Sequence, residues 1–231
     1  MNEFAFNKVQ HFINSGSYVD ALYLLRRELV HDPDDWNTYY LMGFCYRAIN
    51  DYEMSIRCYL DATSINPEES SIYLGLGIVY QLNNDLENAV NSFIKAIRIN
   101  KNFIEAFNSL GLTYSRQFKY ELAIQEYRNG IDRLMNSDID KISQRNPEII
   151  GSSKDGKSLE VNTRLFEEVN KLLKSEIIYA TLINNIGYCY LELHQTDEAK
   201  KCFQESIEFT PIGINYDPPK IGLQRLSGIK S

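Results

Sequence analysis

No apolar run in this chain approaches the roughly 18 residues a helix needs to cross a bilayer, so no membrane span is expected. The first residues lack a basic start followed by an apolar stretch, and no secretory signal is expected. Histidine is scarce: His11, His31 and His194 stand far apart, without the spacing of a metal site or a catalytic triad. The four cysteines form no CxxC pair and have no histidine cluster beside them, and zinc needs about four converging ligands. They read as free thiols in a reducing compartment, which argues for a cytoplasmic location. Basic excess is also missing. With 24 Lys and Arg against 31 Asp and Glu, the net charge is −7 and the pI about 5.1, which argues against nucleic acid or an anionic membrane as the main partner. No long run alternates apolar and polar residues with period two, so a sheet is not expected. Neither catalytic residues nor a cofactor or metal site are expected.

What is present is periodic. Gly43, Gly77 and Gly111 lie 34 residues apart, each followed three residues later by Tyr46, Tyr80 and Tyr114. Gly187 with Tyr190 makes a fourth copy after a gap of 76 residues. Twelve residues after each glycine stand Ser55, Ala89, Ala123 and Ala199, and four further on Tyr59, Phe93, Tyr127 and Phe203. Phe12, Tyr18, Ala21 and Leu25 fit the same frame earlier, and Pro33, Pro67 and Pro211 close three of the units. Small residues at fixed slots let two helices approach closely, and the aromatic slots fill the space beside them. Within residues 52–65 the apolar positions follow helical spacing until Asn66-Pro67, and Asp51, Asp85 and Lys119-Tyr120 fall at turns between helices.

This pattern resembles the tetratricopeptide repeat (TPR) family, whose unit is a helix–turn–helix of this length. The resemblance implies an all-α solenoid of five units, at residues 2–35, 36–69, 70–103, 104–137 and 180–213, with an insertion before the last and a C-terminal cap or tail over 214–231. Val9 stands where a small residue is expected, and Lys101 and Met135 where a closing proline is expected. The resemblance further implies that the first helix of each unit lines a concave face that binds a peptide or protein segment. Its inward slots fall on Phe6, Gln10, Tyr40, Phe44, Arg47, Leu74, Ile78, Asn108, Leu112, Arg116, Asn184 and Tyr188. Relatives that bind the acidic tails of chaperones carry lysines, an arginine and asparagines at such slots. Here Phe6, Tyr40, Phe44, Leu74 and Ile78 replace that clamp, so an apolar partner segment is expected, anchored on aromatic and aliphatic side chains.

The insertion, residues 138–179, divides in two. Residues 138–157 are polar, with Pro147, Gly151 and Gly156, and read as a loop. From Ser158 the residues Val161, Leu165, Phe166, Val169, Leu172, Leu173 and Ile177 recur at spacings of three and four, which predicts an amphipathic helix over 158–179. Such a helix packs on its own chain or pairs with a partner, including a second copy. Gly151 to Ser158 matches the phosphate-loop pattern GxxxxGKS, in which Lys157 would meet phosphates and Ser158 magnesium. A working loop of that kind needs a parallel sheet behind it, and none is expected here, so the string reads as surface loop. The expected function is a non-enzymatic adaptor or scaffold with a protein partner. A dedicated chaperone for a secretion or assembly substrate, self-assembly through 158–179 and nucleotide binding at 151–158 are the alternatives.

Overall fold

The 34-residue period appears in the computed structural model as a series of helical hairpins; the structure describes residues 1, 3–145, 177–210 and 216–228. The hairpins are α1 (Glu3–Asn14) with α2 (Tyr18–His31), α3 (Trp36–Ala48) with α4 (Tyr52–Ile65), and α5 (Ser70–Leu82) with α6 (Leu86–Ile99). Then follow α7 (Ile104–Arg116) with α8 (Tyr120–Arg145), α9 (Ile177–Glu192) with α10 (Thr196–Glu208), and a single α11 (Pro218–Gly228). No strand occurs among the described residues, and the fold is all-α. The chain divides into two compact units, Met1–Lys101 and Asn102–Ser231.

Local chemistry sets the helix ends. The Asp51 carboxylate accepts from the Met54 amide (3.1 Å) and Asp85 from the Asn88 amide (3.2 Å), so each caps the second helix of its hairpin. Just before the cap the chain turns through a left-handed residue in every hairpin. Gly16, Asn50, Asn84, Phe118 and His194 have φ of 76°, 63°, 60°, 61° and 59°. Glycine and asparagine tolerate that conformation; phenylalanine does not, so Phe118 carries local strain.

The glycine slot and the aromatic slot 16 residues later prove to be one steric device. A Cβ on Gly43 would stand 3.0 Å from the Tyr59 ring, on Gly77 2.5 Å from Phe93, on Gly111 2.6 Å from Tyr127, and on Gly187 2.7 Å from Phe203. Each ring thus lies directly on bare helix backbone, and all four aromatic side chains are buried. In the first unit, Val9, Ala21, Leu25, Leu41 and Cys45 form one core, and Tyr59, Ala62, Ile72, Leu76 and Val79 another. In the second unit the main core gathers Ala123, Tyr127, Ile131, Leu134, Leu182 and Ile186.

Two features differ from the sequence expectation. Helix α8 runs through Arg145, so residues 138–145 are helix where a loop was expected from 138 onward. Polar composition suggested the loop, but no glycine or proline lies between Gly130 and Pro147 to stop the helix. The fifth hairpin begins at Ile177 rather than 180. The phosphate-loop-like string at 151–158 and the amphipathic stretch over 158–176 lie outside the described residues. At the C-terminal end α11 packs on Phe203, with Leu223 and Leu226 against the same core. A Cβ on Gly222 would stand 2.5 Å from the Phe203 ring, much as one on Gly75 would stand 2.7 Å from Tyr59. Helix α11 therefore takes the place that the first helix of a following repeat would hold, and it covers the last hairpin.

Candidate functional site

Three of the expected groove residues share one face of α3. Tyr40, Phe44 and Arg47 are spaced by four and three residues, which stacks their side chains along the helix. Tyr40 meets the Tyr59 ring edge-on at 5.7 Å, and Phe44 meets Tyr18 edge-on at 6.4 Å. The Arg47 guanidinium lies over the Phe44 ring, 4.9 Å from its centroid, and bonds the Tyr59 hydroxyl. Burial pushes the Tyr59 phenol far above its ordinary range, and the Arg47 cation opposes the shift. Arg47 Nε is buried with no acceptor among the described residues. Tyr40 and Phe44 are half-buried and pack on the core, so they serve folding as well as any partner. On α1, Phe6 is exposed and Gln10 half-buried; on α5, Leu74 and Ile78 are half-buried.

In the second unit the expected residues separate. Leu112 and Tyr188 line a cavity of about 230 Å³ with Ser115, Tyr120, Tyr127, Asn185, Cys189 and Glu192. Helix α7 supplies Leu112 and Ser115 one turn apart, and α9 supplies Asn185, Tyr188, Cys189 and Glu192 at helical spacing. The floor is held from within. Ser115 Oγ lies 3.2 Å from Cys189 Sγ, and Ser115 also hydrogen-bonds the Tyr127 hydroxyl. Leu112 is 44% exposed, with its side chain available at the rim. The Tyr188 hydroxyl donates to the Pro218 carbonyl (2.9 Å), and Arg225 lies 5.7 Å over its ring, so α11 fixes that wall.

Asn108 and Asn184 are already engaged. Asn185 Nδ2 donates to Asn108 Oδ1 at 3.0 Å, tying α7 to α9. Asn184 is only 3% exposed and bonds the Tyr216 hydroxyl, as does Thr181. An inward slot carried over from the repeat pattern thus falls beneath the chain's own C-terminal segment, and Asn184 is structural rather than accessible. Arg116 is exposed. Asn185, Ser115 and Glu192 were not anticipated, although Asn185 and Glu192 lie one turn on either side of Tyr188 and Cys189.

Burial pushes the Cys45 and Cys58 thiols up to about 12 and Cys202 to about 11, and raises Cys189 as well. Such thiols stay protonated near neutral pH. No group of three or more His, Cys, Asp or Glu able to hold a metal occurs among the described residues. Among them no helix is long and apolar enough to cross a membrane.

Comparison with known proteins gives matches to repeat-family models and to solved structures of like fold. A family model described as tetratricopeptide repeat matches residues 37–69, 104–133 and 180–212, and one described as TPR repeat matches residues 82–117. No curated protein matches in sequence. Among solved structures, a crystal structure of MamA is 18% identical over 90% of this chain and 95% of its own, with a TM-score of 0.64. MamA of Desulfovibrio magneticus RS-1 is 16% identical over 90% of this chain and 93% of its own, also at 0.64. At such identities the likeness is one of fold.

Proposed function

Because the chain belongs to the tetratricopeptide repeat family, we propose that it is a non-enzymatic adaptor or scaffold whose first helices hold an apolar segment of a protein partner. The cavity beside Leu112 carries this reading. At about 230 Å³ it is smaller than the roughly 300–1,000 Å³ of sites for small molecules and cofactors. Its size and walls suit one large apolar side chain entering from a peptide. Glu192 at its edge favours a basic neighbour on that peptide. The Phe44–Arg47 face of α3 offers a second contact of similar kind, where a guanidinium already held on a ring can meet a backbone carbonyl. Four free cysteines, three of them buried, support a reducing compartment such as the cytoplasm.

The test is co-purification of the tagged protein from its native cells, wild type against Leu112→Asp. A charge at the cavity rim should abolish stoichiometric recovery of the partner while the melting temperature stays unchanged, because Leu112 is 44% exposed. Full recovery with Leu112→Asp would move the binding surface elsewhere.

A further inference from the structure

The outward face of α2 breaks a rule that the other hairpins keep. In each second helix, three positions at the same offsets face solvent: Glu53, Arg57 and Ser64 in α4; Glu87, Asn91 and Arg98 in α6. In α8 they are Glu121, Gln125 and Asp132, and in α10 Asp197, Lys201 and Glu208. All are exposed and all are polar. The equivalents in α2 are Val19, Tyr23 and Val30, which are 69%, 65% and 80% exposed. Single exposed apolar residues such as Leu60 or Ile94 are ordinary on a protein surface. Three along one stripe, at slots that are polar in every other copy, are not.

The stripe also has a shape. Val19, Tyr23, Arg26 and Val30 are spaced four, three and four residues apart, the spacing of a coiled-coil seam. That pattern reads the same from either end. Two α2 helices packed antiparallel, about a two-fold axis between Leu24 and Leu25, therefore place Val19 against Val30 of the second copy, and Tyr23 against Arg26 of the second copy. Both contacts then occur twice. The Arg26 guanidinium is already steadied, since it donates to the Tyr46 hydroxyl at 2.5 Å, and it can still present a flat face to a ring. Charge agrees with this register. Asp20 and Arg27 are exposed on one flank of the stripe, a heptad apart. In an antiparallel pair like flanks meet, so Asp20 of each copy comes beside Arg27 of the other.

From this we propose that α2 is a self-association surface, on which a second copy of the chain packs antiparallel through Val19, Tyr23 and Val30. It lies on a different helix from the candidate groove residues and is separate from them in sequence.

The test is the solution mass of the full chain, by light scattering and sedimentation across a dilution series. Wild type should approach twice 26.8 kDa at high concentration. The triple variant Val19→Glu, Tyr23→Arg, Val30→Ser, which copies Glu53, Arg57 and Ser64 of α4, should remain at 26.8 kDa with unchanged circular dichroism. Asp20→Arg or Arg27→Asp alone should weaken the dimer, and the two together should restore it. A wild type that stays at 26.8 kDa at every concentration overturns the proposal. So does a triple variant that still doubles its mass, which would place self-association elsewhere, residues 158–179 included. Single charge reversals without effect, or a double reversal that fails to recover, overturn the antiparallel register.

Discussion

Gly77→Ala is the sharpest probe of how the repeats are held. In a helix interior alanine is favoured over glycine by about 1 kcal/mol, so propensity alone predicts stabilisation. The contact geometry predicts the opposite. The new methyl carbon would stand 2.5 Å from a Phe93 ring carbon, whereas carbon atoms pack best at about 3.5–4.0 Å. Phe93 is fully buried, so its ring has no open space to swing into. Overpacking of this kind costs about 1–3 kcal/mol, which leaves a net loss of about 1 kcal/mol after the propensity gain. At Gly43 the same methyl would stand 3.0 Å from the Tyr59 ring, a milder overlap, and the two effects should nearly cancel. Urea denaturation followed by circular dichroism reads both variants. The partner test is Gly77→Ala in a Phe93→Leu background, where the ring is gone and alanine should no longer destabilise. If Gly77→Ala raises stability in the wild-type background, glycine at this slot reflects no steric demand and the locking device is wrong.

Two further perturbations follow from the same structure. Phe118→Asn should stabilise the protein by about 1 kcal/mol in the same denaturation assay, because it relieves a left-handed phenylalanine. Little is lost in exchange, since Phe118 is 79% exposed and only edges Tyr120 at 6.4 Å. The buried thiols give a pH dependence. Cys45 and Cys58 are held neutral in the fold, so their contribution is complete below the unfolded value of 9.0 and is lost as pH rises toward about 12. A thiol reagent at mildly alkaline pH should label all four cysteines after denaturation, while Cys45, Cys58 and Cys189 stay unlabelled in the folded protein. Fast labelling of Cys45 in the folded state would show that its hairpin opens readily.

The repeat was legible because its steric device needs two residue types at fixed separation, and Gly77 with Phe93 or Gly111 with Tyr127 declare that in one dimension. The hairpins follow from it, as do the caps at Asp51 and Asp85. The length of α8 was hidden, because the stretch from Asn136 to Arg145 is mostly polar, with only Ile139 and Ile142 apolar, and such a composition suits a loop as well as a helix. The left-handed slot could be seen as Gly16, Asn50 and Asn84, but Phe118 and His194 obscure it. Surface and interior at the candidate site were harder still. Asn184 occupies an inward slot by register, yet Tyr216, more than thirty residues away in the chain, covers it. The cavity beside Leu112 depends on Ser115 bridging toward Cys189 and Tyr127, a meeting of three helices that no local spacing encodes.

Among the described residues, the hairpins bring apolar and aromatic side chains such as Leu112 and Tyr188 to surfaces that those residues fill incompletely. Whether an apolar partner segment fills them can be read by photo-crosslinking in the native cell. A benzophenone amino acid would replace Leu112 at the cavity rim and, as a control, Gln125 on the outward face of α8. A partner segment in the cavity gives one discrete heteromeric adduct from position 112 and none from position 125. Adducts from 125 alone, or no heteromeric adduct from 112 in cells where the protein is expressed, would contradict that occupancy.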